Sequence, residues 1–169
     1  MRVVKDAMVL INLAKITLLV HSCDYFEKVM IADGVFDEAV TSGKEKGMED
    51  AFLIEQLIKA EKIKVKRIKN KSFIKMINAF NIYGGEAESL ALYKQEKADL
   101  FISDDDNVRK KKHVIQANII GSLAVLLKLR KAHKISKDKF MVSIEKMRSI
   151  GWFSNAVLDK VLMEGEKDG

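Results

Sequence analysis

Short apolar runs separated by longer amphipathic stretches constrain this chain more than any other feature of its sequence. Arg2 to Lys5, Lys28 to Ala32, Lys64 to Ile68, Asp99 to Ser103 and Asn118 to Gly121 each read as strands. Between and after them lie helical patterns. These run from Met8 to Leu19, Asp37 to Thr41, Met48 to Lys62, Phe73 to Phe80, Glu86 to Glu96, Ser122 to His133, Lys137 to Ser149 and Ser154 to Leu162. In Met48 to Lys62, for example, Phe52, Ile54, Leu57 and Ile58 recur at helical spacing. Strand alternating with helix predicts a three-layer α/β/α fold with a mainly parallel sheet and extra C-terminal helices. The lysines of Lys64 to Ile68 place that strand near an edge. No linker or repeat divides the chain, so residues 1–163 are expected to form one domain, with 164–169 a flexible tail.

In parallel α/β sheets ligands bind outside the carboxyl ends of the strands. The residues there are acids: Asp6 after the first strand, and Asp104, Asp105 and Asp106 after a later one. Each has an ordinary structural reading. Asp6 is a natural helix N-cap, and Glu86 in a first helical turn complements the helix dipole. Three consecutive aspartates are harder to place, because they repel unless solvated, paired with cations or bound to a metal. Tyr83-Gly84-Gly85 reads as a turn and lacks the rest of a dinucleotide-binding glycine fingerprint.

Composition excludes several classes. The lone Cys23 forbids an intrachain disulfide and points to a reducing, cytoplasmic setting. The apolar stretch Ala7 to Ala14 resembles a short signal sequence, but Asp6, Asn12 and Lys15 interrupt that pattern. No run reaches the roughly 18 to 20 apolar residues of a membrane span. His21 with Cys23 lacks two further spaced ligands for zinc. The net charge of +6 favours a polyanionic partner or simply a solvated, lysine-rich surface. Proline is absent, so turns rest on Gly, Asn, Asp and Ser.

Several segments resemble the motifs of PIN-domain nucleases. Asp6-Ala7-Met8-Val9-Leu10-Ile11-Asn12-Leu13-Ala14-Lys15 is similar to the opening motif, and Val35-Phe36-Asp37-Glu38-Ala39-Val40 to the second. Gly85-Glu86-Ala87-Glu88-Ser89-Leu90-Ala91-Leu92 resembles the third, and Leu100 to Arg109 the fourth. Ile119 to Leu127 is similar to a segment of the prokaryotic branch related to VapC toxins. The resemblance covers nearly the whole chain, with all four motifs in order. Two departures stand out: Lys110-Lys111-Lys112 replaces an expected small apolar residue, and Gln116 stands where a turn glycine is usual.

The resemblance implies a magnesium- or manganese-dependent endoribonuclease acting on single-stranded regions of RNA, as the toxin of a toxin–antitoxin pair. Asp6, Glu86 and Asp105 or Asp104 would be metal ligands, and Glu38 would bind a second ion or orient a water. All five acids are then candidate catalytic residues, and Ser103 would hydrogen-bond a ligand carboxylate. Asp106 would cap the next helix, and Arg109, Lys110 and Lys111 would meet substrate phosphates. An all-carboxylate set suits hard cations and argues against zinc. Expected partners are RNA, an antitoxin protein and a second copy of the chain in a homodimer, with no membrane. Two alternatives remain: a silent PIN-like module that binds RNA or protein, and a phosphatase of the haloacid-dehalogenase type with Asp104 as nucleophile. The second needs further acids downstream that the remaining helices do not supply.

Overall fold

The computed structural model describes residues 1–167. Among these residues five strands form one all-parallel sheet: β1 (Arg2–Lys5), β2 (Lys28–Ala32), β3 (Ile63–Lys66), β4 (Leu100–Ile102) and β5 (Ile119–Ile120). Their order is β3-β2-β1-β4-β5. The lysine-bearing β3 is an edge strand, as its composition predicts. Val3 and Val4 of β1, Ile31 of β2 and Phe101 and Ile102 of β4 are fully buried, as strands covered on both faces require.

The strand order reverses between β1 and β4. Val3 pairs with Val29 on one side and with Leu100 on the other. Such a reversal opens a crevice at the carboxyl ends of the two strands it separates. Asp6 follows β1 and Asp104 follows β4, so the fold brings both to that crevice. The Asp6 N–H, donating to the Ile102 carbonyl at 3.1 Å, fixes their register.

The helices are α1 (Ala7–Lys15), α2 (Leu19–Phe26), α3 (Asp33–Phe36), α4 (Ser42–Glu45), α5 (Glu49–Lys59), α6 (Lys71–Asn78), α7 (Gly84–Gln95), α8 (Asp106–Lys110), α9 (Ser122–Lys131), α10 (Lys137–Ile150) and α11 (Asn155–Lys167). Between α3 and α4, Asp37–Thr41 widens into a π-helical turn, a local distortion that often marks function. The helix expected from Met8 to Leu19 ends at Lys15, and a further helix, α2, begins at Leu19. Thr17 takes a left-handed φ of 61° and turns the chain, while Ile16 and Leu18 stay buried and carry the apolar pattern across the break. Gln116 adopts a φ of 50°, so the left-handed turn favoured by glycine is kept with a side chain in it.

The helix α11 continues to Lys167, across most of the segment expected to be a tail; 168–169 lie outside the described residues. It packs on α9 and α10. Gly165 faces the buried Phe140 ring so closely that a Cβ there would stand 2.3 Å from a ring carbon. Among the described residues no helix is long and apolar enough to cross a membrane.

Lys5, the last residue of β1, is fully buried. Its Nζ donates to Ser22 Oγ at 2.5 Å and lies 5.5 Å from the centre of the Phe26 ring, both on α2. Burial lowers its pKa to about 8, with the neighbouring Cys23 a smaller opposing influence. One step along the strand, Asp6 begins the site.

Candidate active site

Asp6, Glu38, Glu86 and Asp105 line one small cavity of about 70 Å³, with Gly85 and Trp152 among its other walls. Four different elements deliver them. Asp6 is the N-cap of α1, and its Oδ1 accepts from the Val9 N–H at 2.9 Å. Glu38 rides on the π-helical turn, Glu86 on the first turn of α7, and Asp105 on the connection from β4 to α8.

Asp6 is only 5% exposed. Its carboxyl pKa is raised to about 7, chiefly by burial, with Asp104 and Glu86 adding like charge. Hydrogen bonds from Ser103 and from the Val9 N–H oppose that shift. Ser103 thus hydrogen-bonds the Asp6 carboxyl, and its Oγ also accepts from the Asp105 N–H at 3.1 Å. Burial raises the Glu38 carboxyl as well, and Glu86 adds to it. Both shifts come chiefly from burial, with like charge a smaller contribution.

The three consecutive aspartates divide the work. Asp104, 3% exposed, is locked from two sides. Its Oδ1 accepts from the Ser122 N–H at 2.7 Å, at the start of α9, and its Oδ2 from Asn12 Nδ2 at 3.3 Å. A Cβ on Gly121 would meet its Oδ1 at 2.8 Å, so the chain must be bare there. Asp105 is half-buried and lines the acid cavity, while Asp104 borders the adjoining cleft. The cap of α8 is Asp105 and not Asp106: Asp105 Oδ1 accepts from the Val108 N–H at 2.8 Å. The cap sits one residue earlier because α8 begins at Asp106, which is exposed.

The basic residues also separate. Arg109 lines the adjoining cleft, its Nη1 3.5 Å from a Cβ position on Gly121. Lys111 is tied down, donating to the Phe80 carbonyl at 2.5 Å. Lys110 is exposed and lines neither cavity.

Three supporting residues escape a reading of the sequence. Asn12, 1% exposed in an otherwise apolar helix, orients Asp104. Its polarity inside an apolar pattern was the available signal. Glu88 accepts from the Gly34 N–H at 3.1 Å, tying α7 to the start of the helical run that carries Glu38. Trp152, in the turn between α10 and α11, has no local signal and reaches the site only through tertiary packing.

The donors are carboxylate oxygens, two of them on groups that burial and like charge leave unfavourably ionised. That chemistry fits a hard divalent cation such as magnesium or manganese. Among the described residues no three carboxylate, imidazole or thiol side chains are already gathered around one point as a metal site. The carboxylates of the cavity walls come from four separate elements.

A family model described as PIN domain (DUF3368) matches residues 2–167. No curated protein and no solved structure gave a match.

Proposed function

Because the chain belongs to the PIN-domain family, whose members are typically nucleases, we propose that it is a metal-dependent ribonuclease that hydrolyses phosphodiester bonds in single-stranded RNA. The observation that carries this reading is the cavity at the reversal point of the sheet, walled by Asp6, Glu38, Glu86 and Asp105. Within the family we read the chain as VapC-like, the toxin of a toxin–antitoxin pair. That finer reading rests on the segment Ile119 to Leu127 and implies an antitoxin partner and a homodimer.

Asp6, Glu86 and Asp105 would hold the metal, with Asp104 braced behind them. A magnesium or manganese ion, when bound, supplies charge relief at phosphorus and a more acidic water. The protein's own groups do the rest. Ser103 and the Val9 N–H hold the Asp6 carboxylate in one orientation. Glu38, on its π-helical turn with its partly buried carboxyl held above its ordinary pKa, orients the attacking water and takes its proton. Arg109 lies in the cleft leading away from the acids, where the next phosphate of a strand would pass.

The test is cleavage of a single-stranded RNA by the purified protein. Cutting is expected with magnesium or manganese, to stop on chelation, and to spare a fully paired duplex. RNA that binds with a steep salt dependence but is never cut would make the chain a silent binding module instead.

A further inference from the structure

Trp152 occupies a position that the proposed chemistry does not use. It is the chain's one tryptophan, 52% exposed, and it lines both the acid cavity and a larger cleft of about 760 Å³. Asp105 is the other residue common to the two. The cleft is apolar along one side, where Leu123 and Leu127 of α9 stand with Val157 and Val161 of α11. Its polar lining includes Asp104, Asp105, Asp106, Asn107 and Arg109, so one cation stands among the acids. Its volume is within the roughly 300–1,000 Å³ typical of ligand sites.

We propose that the Trp152 indole stacks on the base of an unpaired nucleotide next to the phosphodiester that is cut. The adjacent base lies along the apolar wall, and Arg109 meets the phosphate between the two. This inference rests on the nuclease reading for its orientation, because the acids mark where the cut bond lies. Three observations favour a nucleic-acid strand over a protein helix. The same indole borders the carboxylates and the cleft, so its occupant must also present a group to the acids. Arg109 lines the same cleft as the apolar residues and the indole, a combination that grips bases and phosphates together. The protein carries a net charge of +6, complementary to a polyanion. A base inside a duplex has no free face for the indole, so Trp152 also supplies a reason for single-strand selectivity.

The sole tryptophan makes the test direct. Single-stranded RNA is titrated into an Asp6→Asn background with magnesium, so that the strand stays uncut while tryptophan fluorescence is read. Quenching is expected, with none from a duplex and none from an abasic strand of equal length that keeps its phosphates. In a parallel anisotropy measurement with labelled RNA, Trp152→Ala should weaken binding on the order of 10-fold. Trp152→Phe should retain most of the affinity, and the alanine variant should no longer distinguish the abasic strand. That loss of discrimination separates stacking from a merely structural role. RNA that binds without changing the fluorescence, or binds Trp152→Ala as tightly as the native chain, overturns the inference even if the protein cleaves RNA. Quenching by a strand that the native protein never cuts would leave the stacking role standing and remove the nuclease reading.

Discussion

Asp6→Asn is expected to reduce metal-dependent RNA cleavage by on the order of 100-fold or more and, at neutral pH without metal, to make the protein more stable. Loss of a residue that merely supports a ligand already costs about 10- to 100-fold, so loss of a central ligand should cost at least the upper figure. The gain in stability follows from the state of the carboxyl. Its pKa of about 7 lies well above the usual value of 3.8, so the folded protein ionises it at a cost. Near pH 8 that cost is at most on the order of 4 kcal/mol. Asparagine removes the charge but keeps an oxygen to accept from the Val9 N–H, and it caps helices as well as aspartate does. A gain of about 1 to 3 kcal/mol is therefore expected, measured by urea unfolding in the presence of a chelator. Asp6→Ala should lose the same activity but gain less stability, because the cap goes too. Inactive yet more stable is the signature of a residue kept for chemistry at the expense of the fold.

The second large effect is a stability minimum near neutral pH in the metal-free protein, where most proteins are close to their best. Asp6 has a folded pKa raised above its unfolded value, so its contribution is fully present below about pH 4 and is lost as pH rises to about 7. Glu38, raised by burial and by Glu86, adds to the same fall. Lys5 works in the opposite sense. Its folded pKa of about 8 lies below the unfolded value of 10.5, so stability recovers as pH rises above about 8. The buried Cys23 thiol, itself raised, takes back part of that recovery above its ordinary value of 9.0. The trough between pH 7 and 8 should be a few kcal/mol deep, read from urea midpoints across the range. Magnesium should lift the floor, by about 2.7 kcal/mol at a hundred times the dissociation constant, and the acid side less, because protons there compete for Asp6. Lys5→Met, which keeps a long buried side chain without the charge, should lift the floor and flatten the alkaline side.

The parallel sheet is legible in the sequence because its strands are buried on both faces and therefore read as plain apolar runs. The strand-end rule then leads to Asp6 and to the aspartates after β4. Elsewhere the local signal fails for identifiable reasons. The helix α2 is hidden because Ile16 and Leu18 continue the apolar pattern through a turn made by Thr17, a residue with no turn signature. Three identical acids in a row cannot be told apart locally. Only the start of α8 makes Asp105 the cap, and only Asn12 and Ser122 fix Asp104. Glu38 follows no strand end, and it came to notice through a resemblance alone. Lys5 looks like an ordinary strand terminus, because its partners belong to the helix that the pattern conceals. Trp152 is far in sequence from Asp6, Glu38, Glu86 and Asp105, and no periodicity anticipates its place on their cavity.

Calorimetric titration of the metal-free protein with manganese at about pH 6.5, in buffers of different ionisation enthalpy, tests most directly whether these carboxylates hold a cation. Near that pH much of Asp6 is protonated, so a cation that needs the carboxylate must displace the proton. Saturable binding with net proton release is expected, with both the affinity and the release sharply reduced in Asp6→Asn. Binding that is absent, or that persists undiminished in Asp6→Asn, would contradict the assignment of this cavity as the metal centre.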